Sequence, residues 1–315
     1  MRDREQRLQI WKREISSSFN RDIKTMTEWT DHMRIPPPFG WHGQKLPGLS
    51  GLLLIAGFLI VFVCVSARGT GSALWPEAPG TVVESSGKLT MDCSNLTEGY
   101  FTASAAGGGA YRLKLRVEKD GMTLTYDLNG EGTPEVFPLQ LGSGSYAVSL
   151  YENVGGKKYA QQGAVNLDVT LNREDAAFLY PNQYVNYSQI SPLVERALQI
   201  CEGMDDMQAY QSVCELMQSE FAYDFIRALT VTAGELPDAD GCYEKKMGIC
   251  QDLSAVTAAM LRTLQIPARM MIGYADNNYH AWTQTVVDGQ EMFFDPTAAL
   301  GGINTVTDYS VERYY

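Results

Sequence analysis

Histidine is nearly missing from this chain: 315 residues carry only 3, and the 6 cysteines include no CxxC pair. There is no HxxxH spacing either, so the usual ligand sets of a zinc site are lacking, and no metal and no cofactor is expected. Basic charge is scarce as well, with 25 Lys and Arg against 37 Asp and Glu for a net of -12. A chain this acidic carries no electrostatic footprint for nucleic acid, which is excluded as a partner. Long low-complexity tracts are absent, and 45% hydrophobic with 10% aromatic residues supply a core, which excludes wholesale disorder. The length allows one to three domains.

One stretch has no charge at all. From Leu46 to Ala67 the chain reads LPGLSGLLLIAGFLIVFVCVSA, and such a segment as a helix, at 1.5 Å rise per residue, spans about 33 Å, roughly one bilayer core. A single transmembrane helix is therefore expected over 46–67, with the lipid bilayer as a partner. Residues 1–45 hold nine Lys and Arg against six Asp and Glu, whereas 69–315 hold 15 against 31. The basic flank stays in the cytoplasm, so the expected product is a single-pass plasma membrane protein with a cytoplasmic N-terminus and extracytoplasmic C-terminal domains. The region before the apolar run is too long for a cleaved signal peptide. Within it, Leu8, Trp11, Ile15, Phe19, Ile23 and Met26 recur at three or four residues, the spacing of an amphipathic helix.

Beyond the anchor the pattern divides the chain further. Residues 68–85, rich in Gly, Ser, Pro and Ala, read as a stalk linker. From 86 to 172 the period is two: Leu113, Leu115 and Val117 alternate with Arg and Lys, Asp120-Gly121 supplies a turn, and Leu124, Tyr126 and Leu128 alternate again. That is a hairpin signal, and the whole segment reads as a small antiparallel β-sandwich-like domain. It contains no histidine, so a spacer or interaction module is expected there. The remaining residues, 173–315, begin with helical spacing at Leu193, Ala197 and Leu198, then Tyr210, Val213 and Met217. Cys201 and Cys214 flank a short turn in this part and are candidates for a disulfide.

The residues able to do chemistry fall in one segment, KMGICQDLSAVTAAMLRTLQIPARMMIGYADNNYHAWTQTVVDGQEMFFDPT, residues 246–297. Gly248 permits a tight turn before Cys250, and Leu253, Val256, Thr257, Met260 and Leu264 then follow helical spacing until Pro267. Cys250 thus sits at a helix N-terminus, where the free N–H groups and the positive dipole end favour a thiolate and an oxyanion. His32 and His42 precede the apolar run, so His280 is the one histidine expected outside the membrane. Tyr279 to Val287 suits a strand, Asp288-Gly289 a two-residue hairpin turn, and Glu291 to Asp295 the return strand. In that register paired numbers sum to 577, which puts Asp295 opposite Trp282 and diagonal to His280 on the same face. A slip of one residue would separate them.

A thiol, an imidazole and a carboxylate in this relation make an activated nucleophile. With Gly248-Ile-Cys250-Gln-Asp252, Leu261-Arg262, Ile266-Pro267-Ala268-Arg269, Gly273-Tyr274, His280-Ala281-Trp282 and Phe294-Asp295-Pro296-Thr297 in this order, the segment resembles the transglutaminase-like superfamily of papain-like cysteine enzymes. The upstream Glu220-Phe-Ala-Tyr223-Asp224 is similar to a helix-ending segment of that family, so the resemblance covers roughly 205–298. It implies an α+β, papain-like C-terminal domain, with Cys250 as nucleophile, His280 as general base and acid, and Asp295 fixing the imidazole. The backbone N–H of Cys250 would be one oxyanion donor. Animal transglutaminases take the second from an upstream Trp, but this chain has none between Trp75 and Trp282, which makes Tyr223 or Tyr243 the candidate. Trp282 is expected to wall the cleft, Asp252 to cap the nucleophile's helix, and Arg269 to pair with an internal acid.

The implied reaction is acyl transfer or hydrolysis on peptide or protein amides, with a peptidase or amidase and a transglutaminase sharing one mechanism. Two alternatives stand beside it: a non-catalytic cell-surface peptide-binding or scaffold protein, and a cell-wall peptide hydrolase with a similar Cys–His pair.

Overall fold

The computed structural model describes residues 73–105, 112–303, 306 and 308–315. The expected tail at 1–45, the transmembrane helix at 46–67, and with them His32, His42 and Cys64, lie outside the described residues. Among the described residues no helix is long and apolar enough to cross a membrane.

Eight strands come first: Val83–Ser86 (β1), Leu89–Asp92 (β2), Tyr100–Ala105 (β3), Leu113–Lys119 (β4), Met122–Leu128 (β5), Glu135–Pro138 (β6), Gly144–Gly155 (β7) and Lys158–Val169 (β8). They form two antiparallel sheets, ordered β1-β2-β3-β6 and β5-β4-β7-β8. Period-two alternation decides which side chains face inward: Leu113, Leu115 and Val117 on β4 and Leu124, Tyr126 and Leu128 on β5 are all buried, sharing one core with Leu89, Met91, Phe101 and Phe137 of the other sheet. The β4–β5 hairpin closes on Asp120 and Gly121, both at positive φ, the conformation that matches the twist of a two-residue hairpin. Residues 73–82 lie against this body: Trp75 meets the Tyr187 ring edge-on at 5.6 Å, and the Glu77 N–H donates to the Tyr100 hydroxyl.

The second half contains the helices Pro192–Ile200 (α1) and Asp206–Glu220 (α2), the two-residue strand Ala222–Tyr223 (β9), the helices Phe225–Thr230 (α3) and Ala239–Lys245 (α4), the strand Met247–Gly248 (β10), and the helix Cys250–Thr263 (α5). The strands Ala268–Ala275 (β11), Asn278–Val287 (β12) and Gln290–Phe294 (β13), the short helix Pro296–Ala299 (α6) and the strand Tyr309–Tyr314 (β14) follow. The last four strands make one antiparallel sheet, β13-β12-β11-β14. Sequence explains the helix ends: Pro192 stands in the first turn of α1, where its missing N–H costs nothing, and Asp205 with Gln208 closes a capping box on α2. Helix α5 is buried from Asp252 to Thr263, as expected of a helix enclosed by other elements, and its buried Thr257 and Thr263 hydroxyls donate to carbonyls one turn back. It packs on the sheet and on α1, α2 and α4.

The suggested Cys201–Cys214 disulfide is not formed. Cys214 is a free, buried thiol on the inner face of α2, with burial pushing it up to about 12. Cys201 instead directs its Sγ at the Ala209 carbonyl, 3.8 Å away.

Candidate active site

Cys250 opens α5, and the two residues before it are fixed from outside the helix. Strand β10 pairs in parallel with β9, setting Gly248 beside Tyr223, and the Asp224 N–H donates to the Gly248 carbonyl at 2.9 Å. No other residue fits at 248: a Cβ there would lie 2.6 Å from Cys242 Sγ and 2.9 Å from Asp252 Cβ. Ile249 is extended, and its N–H donates back to Asp252 Oδ2 at 3.2 Å, so Asp252 does cap the first turn, where a carboxylate also complements the dipole. The buried Asp252 is itself held by Arg227, whose Nε donates to Oδ2 at 2.8 Å and Nη2 to Oδ1 at 3.3 Å, and by the Asp238 N–H at 3.1 Å.

His280 lies on β12 opposite Gly273 of β11. Beyond it, Asp288 and Gly289, both at positive φ, turn the chain into β13. The register runs from Val287–Gln290 to Thr283–Phe294, so Asp295, one residue past the strand, comes level with Trp282. His280 Nε2 donates to Asp295 Oδ2 at 2.8 Å, with both side chains almost fully buried. The Cys250 side chain lies close enough to the imidazole to favour its charged form. With Nε2 engaged, Nδ1 is the nitrogen left to face the thiol.

Asp295 is saturated with donors. Its Oδ1 accepts the N–H groups of Thr297 and Ala298 at 2.9 and 3.0 Å, capping α6, and Oδ2 accepts the Tyr309 hydroxyl at 2.8 Å besides His280. Burial raises the Asp295 carboxyl, but His280, the Ala298 N–H and Tyr309 together hold it below the usual range. Burial likewise opposes the charged form of His280, yet the bond to Asp295 and the neighbouring Cys250 push the imidazole up to about 9. A buried imidazolium between a thiol and a carboxylate is the electrostatic state these neighbours favour.

The other expected residues divide. Trp282 is buried, with its ring 6.3 Å from His280 and nearly parallel to it, and 5.0 Å from Tyr309. Tyr223 lies against Gly302 and Thr297, since a Cβ on Gly302 would fall 2.8 Å from the Tyr223 ring and from Thr297 Cγ2. Burial first, and then the negative charges of Cys250, Asp224, Asp252 and Asp295, push its phenol up to about 12. The Tyr243 ring stands with Phe221 at 6.1 Å under the Lys246 ammonium at 3.5 Å. Among the described residues Arg269 pairs with no acid: its guanidinium covers the rings of Phe178 at 4.7 Å and Tyr314 at 5.7 Å, because aromatic faces border β11 there. Sequence reasoning missed Tyr309 and Arg227. A tyrosine in a C-terminal period-two run carries no sign of its partner, and Arg227 stands 25 residues from Asp252.

Comparison with known proteins agrees with this part of the chain. Residues 196–296 match the model of the transglutaminase-like superfamily. No curated protein matches the sequence. Similar solved structures include a candidate cysteine protease from Cytophaga hutchinsonii, 14% identical over 74% of this chain and 90% of the other, with a TM-score of 0.34. A candidate protease from Parabacteroides distasonis is 10% identical over 65% and 63% of the two chains, with a TM-score of 0.31. Red sea bream transglutaminase is 12% identical over 63% and 48%, with a TM-score of 0.29. At such scores the chemistry of this chain has to be read from its own side chains.

Proposed function

From a transglutaminase-like domain at residues 196–296, we propose that the protein is a thiol-dependent enzyme acting on peptide or protein amides, with Cys250, His280 and Asp295 as its catalytic residues. The observation that carries the reading is the buried His280–Asp295 pair, joined by the 2.8 Å bond of Nε2 to Oδ2, with the partly exposed Cys250 thiol within electrostatic reach of the imidazole. An inert buried cysteine needs no imidazole, and a structural imidazole needs no thiol.

In the proposed cycle the Cys250 thiolate attacks the amide carbonyl carbon, and the carbonyl electron pair moves to oxygen. The N–H of Cys250, at the start of α5 where backbone donors lack intrahelical acceptors, faces that oxyanion, with the Tyr223 hydroxyl as second donor. His280 gives its proton to the leaving amine as the C–N bond breaks, leaving a thioester. Water or a primary amine then attacks the thioester while His280 takes its proton back, and the thiolate departs. Asp295 keeps Nε2 protonated, so that Nδ1 exchanges the proton throughout. Hydrolysis and transfer differ only in the second nucleophile. We further place the enzyme outside the plasma membrane, anchored through 46–67, which the charge-free run and the basic segment before it support.

Iodoacetamide labelling of each cysteine across pH, read by mass spectrometry, tests the reading. Cys250 is expected to react fastest below pH 8 and to lose that advantage in His280→Ala. Slow labelling that ignores His280 would leave only a peptide-binding role. Incubating a glutamine-containing peptide with and without a primary amine then separates hydrolysis from transfer by product mass.

A further inference from the structure

Helix α3 is built inside out. None of its six residues is buried, and Phe225, Ile226 and Leu229 are 48%, 78% and 64% exposed. Spacings of three and four residues put these side chains on one ridge, which a soluble helix ordinarily turns inward. What attaches α3 is polar instead. Asp224 caps it by accepting the Arg227 N–H at 2.8 Å, and the Arg227 side chain reaches Asp252 at 2.8 Å and Glu235 at 2.7 Å. The apolar side chains therefore contribute little to holding the helix in place.

The ridge is continuous with the proposed catalytic cleft. The Phe225 ring meets Tyr223 edge-on, with centroids 5.0 Å apart, and Tyr223 pairs with Gly248, two residues before Cys250. Next to the helix Asp224, Glu235 and Asp252 are acids, and the one cation of the helix, Arg227, is engaged by two of them; of the two lysines before β10, Lys246 is engaged by Glu220 and Lys245 is exposed. An acidic ligand would meet repulsion with no free cation on α3 to receive it.

Building on the proposed thiol chemistry, we infer that Phe225, Ile226 and Leu229 form the substrate-selecting surface of the enzyme, taking a polypeptide segment with apolar side chains and neutral or basic flanks. Such a segment buries a ridge that otherwise faces water, with its amide held at Cys250.

The test uses the full chain and three electrophiles: a leucine-rich tripeptide chloromethyl ketone, its glutamate-rich counterpart, and iodoacetamide. Second-order rates of Cys250 alkylation are read by mass spectrometry for the native protein, for Ile226→Ser/Leu229→Ser and for His280→Ala. The leucine probe is expected to react about tenfold or more faster than the glutamate probe, an advantage of the size that partial burial of two leucine-sized side chains gives. The double substitution should bring the two probes close to parity and leave iodoacetamide unchanged. Equal rates for both peptides in the native protein overturn the inference while His280-dependent iodoacetamide labelling keeps the enzyme reading. Loss of that dependence overturns both. A native dimer that the double substitution dissolves, without any probe preference, assigns the ridge to a second copy instead.

Discussion

Asp295→Asn isolates the charge that the site turns on. The amide retains the shape of the carboxylate, and its oxygen can still accept the Thr297 and Ala298 N–H groups that fix the start of α6. What is lost is the negative partner of His280. Burial alone would bring the imidazole below its ordinary 6.5, but it is pushed up to about 9, with the hydrogen bond to Asp295 the largest upward contribution and the neighbouring Cys250 the next. A charge-assisted hydrogen bond contributes about 1.5–3 kcal/mol, equivalent to about 10- to 100-fold in the population of the imidazolium at 1.36 kcal/mol per decade. Iodoacetamide labelling of Cys250 between pH 5.5 and 9.5 reads that population. Cys93, Cys214 and Cys242 serve as internal standards, since burial pushes Cys93 up to about 11 and Cys214 up to about 12, and raises Cys242 as well. The substitution should bring the imidazole down to roughly 7–8 and slow Cys250 about 10- to 100-fold near pH 9, with the two profiles converging below about pH 7, where both imidazoles are protonated. If Asp295→Asn stays within about twofold of native while His280→Ala is slow, the carboxylate only orients the ring and the electrostatic argument is refuted.

The same pair makes stability depend on pH. The folded value of His280 lies above 6.5, so its contribution is complete below about 6.5 and disappears as pH rises through about 9; urea unfolding should show a loss of about 3 kcal/mol over that window, absent in His280→Ala. Asp295, held low, is the other half of this ion pair, and its contribution fades only as pH falls through the depressed carboxyl value. Tyr309→Phe removes one donor from Asp295 Oδ2 and leaves the carboxylate to His280. It should move the alkaline limb of Cys250 reactivity upward by up to about one pH unit at a cost of about 1 kcal/mol in stability, whereas an acid shift would contradict the assignment. Gly302→Ala drives a methyl group to 2.8 Å from the Tyr223 ring. If Tyr223 is an oxyanion donor, turnover of a peptide amide should fall about 10- to 100-fold with iodoacetamide labelling preserved, and equal turnover would remove Tyr223 from the chemistry.

The parts of the site legible in the sequence are those where a local rule fixes geometry. Helical spacing after Gly248 locates the start of α5, and the two-residue turn at Asp288-Gly289 fixes a register from which the approach of His280 to Asp295 can be counted. Contacts made by backbone groups, or by residues brought in from distant elements, leave no such trace. Strand β14 joins β11 through a register shift at Ile272 and Gly273, so no period predicts that Tyr309 reaches Asp295. Arg269 shows the complementary failure, because an isolated cation reads as half of an ion pair when aromatic faces can receive it equally well. Periodicity on α3 likewise tells which residues share a face but not that the face turns outward.

Arg262 explains why the β-rich half and the helical half cannot be treated as separate when the site is considered. Its guanidinium is fully buried and donates to the carbonyls of Ala268, Tyr180 and Tyr315 at 2.7–2.9 Å, and burial lowers it to about 10, still charged at neutral pH. Carbonyls from three stretches of chain are thereby tied to the last turns of α5. Tyr315 extends β14, pairing with Met270, and its ring stacks on Tyr184 and meets Tyr126 of the sandwich edge-on, while Gln140 donates to the Tyr314 carbonyl. The same strand begins at Tyr309, the donor to Asp295. Both ends of α5 are therefore referred to β14, through His280, Asp295 and Tyr309 at the Cys250 end and through Arg262 and Tyr315 at the other. The sandwich, which has no histidine of its own, meets the far end of that strand through Tyr126 and Gln140.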